Sequence, residues 1–188
     1  MKLSRLSWLG AVLVFASFTA CGPPWKVVRV SGPPSALAGQ TNVAVAFDYS
    51  RMYVEGRTEL DWMTVKTAED ANYPSTWADL KGRFEAAVVR GLRGQFPSAH
   101  AVQAGPGSPV MVVEVHSFRL GKFIPFVMPS TVMEASLIFQ VGGQATDEIA
   151  LTRSYPASLT QPSVFNHIPW VGEAFGRAGG SLLASKQR

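Results

Sequence analysis

From Thr41 the chain alternates in character. Val43, Val45, Phe47 and Tyr49 are interleaved with Asn42, Ala44, Ala46 and Asp48, the period-two pattern of a strand. A second apolar piece, Met52-Tyr53-Val54, ends at Glu55-Gly56, and Thr58-Glu59-Leu60-Asp61 opens a short helix whose predicted apolar face is Leu60 and Met63. After Asn72-Tyr73-Pro74-Ser75 the period changes. Trp77, Leu80, Phe84, Ala87, Val88, Gly91, Leu92 and Phe96 step by threes and fours, Thr76 and Asp79 have capping-box spacing, and Pro97 ends the run, which predicts an amphipathic helix. Gly82, Gly91 and Gly94 each weaken that helix by up to about 1 kcal/mol relative to Ala, so tertiary packing has to hold it.

The loop Ala104-Gly105-Pro106-Gly107-Ser108-Pro109 leads into a strand-rich middle: Val110 to Phe118, Thr131 to Val141, and Glu148 to Tyr155. In the second of these, Met133, Ala135, Leu137, Phe139 and Val141 oppose Glu134, Ser136 and Gln140, the alternation of an antiparallel sheet with one covered face. Gly142-Gly143 predicts a turn. A last helix is predicted from about Pro169 to Lys186, with the proline in its first turn. The order strand, helix, three strands, helix predicts an α+β two-layer sandwich, a mostly antiparallel sheet of about four strands covered by two main helices. In the last helix Gly172, Gly176 and Gly180 recur every four residues beside Val171, Phe175 and Leu182. Such spacing allows close backbone approach, as in membrane helix dimers. Glu173, Arg177 and the helix's length exclude a membrane span, which leaves close packing on the sheet or on the earlier helix.

The first twenty residues have another logic. Met1-Lys2-Leu3-Ser4-Arg5 carries two positive charges and no acid, and Leu6 to Ala16 is almost wholly apolar. That is too short for a bilayer span, for which roughly 20 residues are needed, and it matches the charged and apolar regions of an export signal. Ordinary secretory cleavage after Ala20 would place the bulky Phe18 where a small residue is required. The run Phe18-Thr19-Ala20-Cys21 instead resembles the lipobox of bacterial lipoproteins: an apolar residue, two small ones, then cysteine. Phe18 stands where leucine is commoner. The resemblance implies lipidation of Cys21, removal of residues 1 to 20, and anchoring of the new N-terminus in a membrane facing the periplasm. Two or more acyl chains anchor stably where one binds marginally. Gly22, rather than an aspartate, follows the cysteine, which by the same resemblance implies the outer membrane. The alternative is a free cysteine of a cytosolic protein, the only one in the chain.

Residues 21 to 40 contain Gly22-Pro23-Pro24, Ser31-Gly32-Pro33-Pro34-Ser35 and Ala38-Gly39-Gln40, which predicts an extended tether. Within it Trp25 to Val30 reads equally as an edge strand. Residues 41 to 188 are then a single domain, and the 168 residues from Cys21 onward are enough for a core of its own. Without Lys2 and Arg5, 15 basic side chains face 13 acidic ones. They form no cluster, so nucleic-acid binding has no electrostatic support. The lack of a cysteine pair leaves no disulfide framework.

Candidate chemistry is sparse. His100, His116 and His167 fall in a loop, a strand and the approach to a helix, without metal-ligand spacing. No zinc-protease, nucleophile-elbow, phosphate-loop or dinucleotide motif occurs, so neither a cofactor nor an enzymatic role is expected. His116 and Glu114 share a strand face and could pair, though a solvated face explains them as well. Asp147-Glu148 reads as turn chemistry. Lys122 to Pro129 is apolar and interrupted by prolines that a central strand would not tolerate. Phe123, Ile124, Phe126, Val127 and Met128 are therefore a candidate exposed patch for a protein partner or a membrane, or else a loop folded back over the core. At the level of topology the domain resembles small periplasmic lipoproteins that assist envelope machines, such as lipopolysaccharide-assembly lipoproteins and lipoprotein activators of penicillin-binding proteins. No residue motif singles out one of them. The expected role is thus an accessory or assembly factor with an envelope protein as partner; the alternative is a carrier that shelters a lipid or other apolar ligand between sheet and helices.

Overall fold

The computed structural model describes residues 25–32, 34–103, 110–121, 130–156 and 163–187. Eight strands and three helices follow in the order β1 (Lys26–Arg29), β2 (Ala44–Asp48), β3 (Tyr53–Val54), β4 (Arg57–Thr58), α1 (Glu59–Glu69), α2 (Tyr73–Arg93), β5 (His100–Ala101), β6 (Met111–Arg119), β7 (Thr131–Val141), β8 (Gln144–Tyr155) and α3 (Val164–Lys186). The strands form one sheet in the order β1-β8-β7-β6-β2-β5, with β3 also beside β6 and β4 beside β3. This corrects the expected sheet of about four strands and two helices: among the described residues the sheet has eight strands, it is mixed, and there are three helices. The pairs β6–β7 and β7–β8 are antiparallel, but β2 lies parallel to β6 and to β5, and β3 parallel to β6. Parallel neighbours need a crossover, and α1 with α2 supplies the one between β2 and β6.

The two long helices cover one face of the sheet. Trp77, Leu80, Phe84, Ala87, Val88, Gly91 and Leu92 of α2 are buried, seven of the eight positions of the sequence stripe, and Phe96 just beyond the helix is buried too. They meet Ile168, Val171, Phe175, Leu182 and Leu183 of α3 and the inward residues of β6 to β8, including Met111, Val113, Leu137 and Ile149. The fourfold glycine spacing serves the contact between α2 and α3. A methyl group built on Gly176 would overlap the Val88 carbonyl oxygen and lie 2.7 Å from the Leu92 nitrogen; one on Gly172 would lie 2.8 Å from Ala87 Cβ. The close packing expected from the sequence is therefore against α2.

Several boundaries differ from expectation for local reasons. Thr58 caps α1 by accepting from the Asp61 nitrogen at 3.2 Å, and its hydroxyl donates to the Asp61 carboxylate at 2.7 Å. In that helix Trp62 is the buried residue and Leu60 is 76% exposed, so the predicted apolar face is rotated. Trp62 is held by ring contacts to Tyr73 and Trp77, centroids 5.1 and 4.9 Å apart. The N-cap of α2 is Asn72, without a side-chain cap bond and with a proline in the first two positions; Thr76 lies inside the helix, so the capping-box reading is corrected. α3 begins at Val164, capped by Ser163, and Pro169 lies inside it. Gly142 and Gly143, at φ 59° and 81°, make the tight turn that joins β7 to β8, and β8 begins directly after them at Gln144.

The described residues of the stretch expected to be a tether, 25–32 and 34–40, are attached to the fold. Lys26 pairs with Ala150 and Val27 with Ile149, making β1 the outermost strand. Past it, Ser31 donates from its nitrogen and hydroxyl to the two Asp147 carboxylate oxygens at 3.1 and 2.8 Å. Leu37 is fully buried, and Gln187 donates to the carbonyls of Leu37 and Gln40 at 3.3 and 2.9 Å. No helix among the described residues is long and apolar enough to cross a membrane.

Candidate functional site

A cleft of about 550 Å³ opens beside the short β3–β4 hairpin, lined by residues 49–53 and 58–60. The hairpin is built by Glu55 and Gly56, both at positive φ (51° and 77°). Glu55 holds that unusual conformation through two bonds: its nitrogen donates to the Phe118 carbonyl at 3.0 Å, and its carboxylate accepts from the Leu120 nitrogen at 2.5 Å. The hairpin is thereby pinned to the end of β6.

The polar groups of the cleft are engaged with one another. Glu59 accepts from Trp77 Nε1 at 2.5 Å and from Lys81 Nζ at 2.8 Å, and the Lys81 ammonium stands 5.0 Å from the centroid of the Tyr49 ring. The Tyr49 hydroxyl donates to Glu85 at 3.0 Å. Burial, with Glu85 and Glu59 close by, pushes the Tyr49 phenol far above its ordinary range, so it stays a donor at any physiological pH. The Ser50 nitrogen donates to Asp48 at 2.8 Å, which holds that carboxyl below its usual value. Arg51 reaches from the rim to Glu114 at 3.5 Å. The apolar side chains that the cleft presents outward are Tyr53, 52% exposed, and Leu60, beside exposed Ser50, Arg51 and Thr58.

The sequence candidates are spread over the fold. Exposed His100 on β5 has its Nδ1 2.9 Å from the Ser98 carbonyl. His116 lies at the irregularity in β6 between Val115 and Ser117, 3.0 Å from the Ser136 hydroxyl, while Glu114 turns to Arg51. His167 is fully buried, with its Nδ1 2.8 Å from Thr131 Oγ1. Among the described residues no group of histidines, cysteines and acids could hold a metal. Asp147 is part of a structural tie rather than a turn. Besides Ser31 it takes Lys186 at 3.0 Å. Burial works to raise its pKa, but the Ser31 and Lys186 bonds outweigh that and leave the carboxyl below its usual range. Cys21 and the patch Phe123, Ile124, Phe126, Val127 and Met128 lie outside the described residues.

A second exposed feature was not anticipated from the sequence. Trp170, 52% exposed on α3, stacks on Tyr155 at the end of β8, with centroids 6.0 Å apart and planes at 25°. On its other side Tyr155 lies 4.9 Å from the His167 ring. Trp170 sits in the predicted helix but off its apolar stripe, the one signal that marks it as outward-facing. Between sheet and helices, the interior space bounded by Trp77, Leu80, Phe84, Phe118, Met133 and Ile168 amounts to about 10 Å³, the room of one water at most.

No family model matches the sequence, and no curated protein matches it. Among solved structures, the PelC dodecamer from Paraburkholderia phytofirmans aligns with a TM-score of 0.43 at 16% identity, over 81% of this chain and 97% of that one. A point variant of the same protein gives 0.44 at 14% over the same shares. Protein XCC0632 from Xanthomonas campestris, of family DUF330, gives 0.32 at 12%, over 85% of this chain and 90% of that one. On such values no property of these proteins transfers to this chain.

Proposed function

We propose that the chain is a bacterial lipoprotein, anchored by acyl chains on Cys21 with Gly22 directing it to the outer membrane, whose periplasmic domain acts by protein contact as an accessory or assembly factor of an envelope complex. The observation that carries the reading is the run Phe18-Thr19-Ala20-Cys21 closing an apolar stretch, with the chain's one cysteine in the last position. The fold is compatible with the cut that this implies. Its first described strand starts at Lys26, so removal of residues 1 to 20 takes nothing from any described element. Among the described residues, the space between Trp77, Leu80, Phe84, Phe118, Met133 and Ile168 is about 10 Å³, too small for an acyl chain, which favours contact over carriage there.

Replacing Cys21 by Ser tests the anchor. The variant is expected to incorporate no labelled fatty acid and to retain residues 1 to 20, because the lipobox cysteine is gone and Phe18 disfavours ordinary cleavage. A Cys21→Ser protein that stayed in the membrane and took up label would overturn the reading.

A further inference from the structure

We infer that the end of the sheet bearing Tyr155, Trp170 and Tyr53 rests on the bilayer surface, so that the domain is docked on lipid instead of hanging free from its anchor. This rests on the lipidation reading above, and three observations carry it further.

The first is the reach of the chain. β1 runs antiparallel to β8, Lys26 opposite Ala150 and Val27 opposite Ile149, so going backward from Lys26 the chain heads toward Tyr155. Trp25, already packed against the core, is four residues from Cys21, which at ~3.4 Å per residue spans at most ~14 Å. From the level of Trp25, beside Leu151, to the opposite end of β8 at Gln144 is about 23 Å by the same rise. The anchor can attain the Tyr155 level but cannot pass the Gln144 end. A tether of 20 residues would have left the orientation open. The folding of residues 25 to 40 into the domain removes that freedom.

The second is what stands at that end. Trp170 is half exposed and stacked on Tyr155, an amphipathic aromatic pair of the kind that settles at the membrane–water boundary. The third is the ladder register. Tyr53 pairs with Ser117, Ser117 with Glu134, and Glu134 with Thr152. Half-exposed Tyr53 is therefore in register with Thr152, in the last third of β8 toward Tyr155. The edge strand β1 also exposes Val27 and Val28 with Lys26 and Arg29 beside them, a combination that an anionic lipid surface attracts as well, so this edge is the competing face that a label at Val28 tests.

The test uses the full-length lipoprotein, purified with its lipid and reconstituted into vesicles of phosphatidylethanolamine and phosphatidylglycerol. Acylated Cys21 leaves the thiol of a single added cysteine free for an environment-sensitive fluorophore. The label is placed at Ser154, at Gln144 or at Val28, all exposed, and quenched by spin-labelled lipid. Ser154 and Gln144 are about 33 Å apart along β8. The expected result is loss of most of the fluorescence at Ser154 and none at Gln144, with a smaller loss at Ser154 when Trp170→Ser is added. Equal lack of quenching at Ser154 and Gln144, or stronger quenching at Val28, overturns the docking while leaving the anchor standing. Mass spectrometry of the N-terminal peptide separates the two readings, because an unmodified Cys21 overturns both.

Discussion

Gly176→Ala is the sharpest probe of the packing of α2 against α3. In a helix with open surroundings the change would be favourable, since glycine costs up to about 1 kcal/mol relative to alanine. Here the added methyl overlaps the Val88 carbonyl oxygen, lies 2.7 Å from the Leu92 nitrogen and 3.0 Å from the Gly91 carbonyl carbon. All three are backbone atoms of one helix. No side chain can rotate away, so α3 has to lift from α2 along the line of contact, loosening Phe84 against Phe175, whose rings now meet edge-on at 5.9 Å. Overpacking of a close-packed core costs typically 1–3 kcal/mol, and backbone on both sides puts this site at the upper end. Subtracting the helix-propensity gain leaves a net loss of about 2 kcal/mol. For a chain of this size that lowers Tm by roughly 4 to 8 °C.

Gly82→Ala is the internal control. That residue is exposed in α2, the partner helix of the contact, and a methyl there meets nothing within 4 Å, so the propensity term acts alone and Tm is expected to rise by about 2 to 4 °C. Thermal unfolding followed by far-ultraviolet circular dichroism reads both. Equal stability of Gly176→Ala and the parent chain would refute the close approach of the helices; destabilisation by both variants would show that the cost is general to the helices and not specific to the contact.

Two further substitutions test other parts of the fold. Leu37→Ala is expected to cost about 3 kcal/mol as a buried large-to-small change, read by urea unfolding; no effect would return residues 31 to 40 to the status of a tether. Asp147 has a folded pKa held below its ordinary 3.8, so its contribution to stability is complete above about pH 4 and is lost as pH falls further through the lowered folded value. Asp147→Asn is expected to remove that part of the acid dependence, and to cost about 3 kcal/mol at neutral pH by leaving the largely buried Lys186 ammonium without its counter-charge. An acid-unfolding profile unchanged by the substitution would refute the assignment.

What could be read from the sequence was whatever a local period encodes. The stripe from Trp77 to Phe96 names the buried face of α2 almost residue for residue, and Met133 to Phe139 names the inner face of β7, because each element buries one side against the same core. Sheet topology lies beyond such reading. β2 has the same alternation whether it pairs parallel or antiparallel, and its parallel register with β6, Val45 opposite Met111, is set by the crossover that α1 and α2 make. The two-residue strands β3, β4 and β5 are too short to show a period at all. Leu60 and Trp62 show the same limit in a helix. With both apolar and two positions apart, the sequence cannot say which turns inward, and the choice is made by the rings of Tyr73 and Trp77.

The N-terminal stretch shows the opposite failure, in which composition misleads. Its Gly and Pro content describes a chain that forms no helix, which is correct, but an extended chain can equally be an edge strand or a strap, and only partners elsewhere distinguish the cases. Those partners are Ala150 and Ile149 for β1, Asp147 for Ser31, and Gln187 for the Leu37 and Gln40 carbonyls, all more than a hundred residues away in sequence. The consequence is mechanical. On the proposed acylation of Cys21, each described residue from Trp25 to Gln40 that the fold takes up shortens the link to the bilayer, leaving four residues between that cysteine and β1. On the same reading, the strap that Asp147 and Gln187 hold against the domain also sets the distance and direction of the domain from the membrane. Loosening it, as Leu37→Ala or Asp147→Asn would, is expected to weaken docking at Ser154 without releasing the anchor.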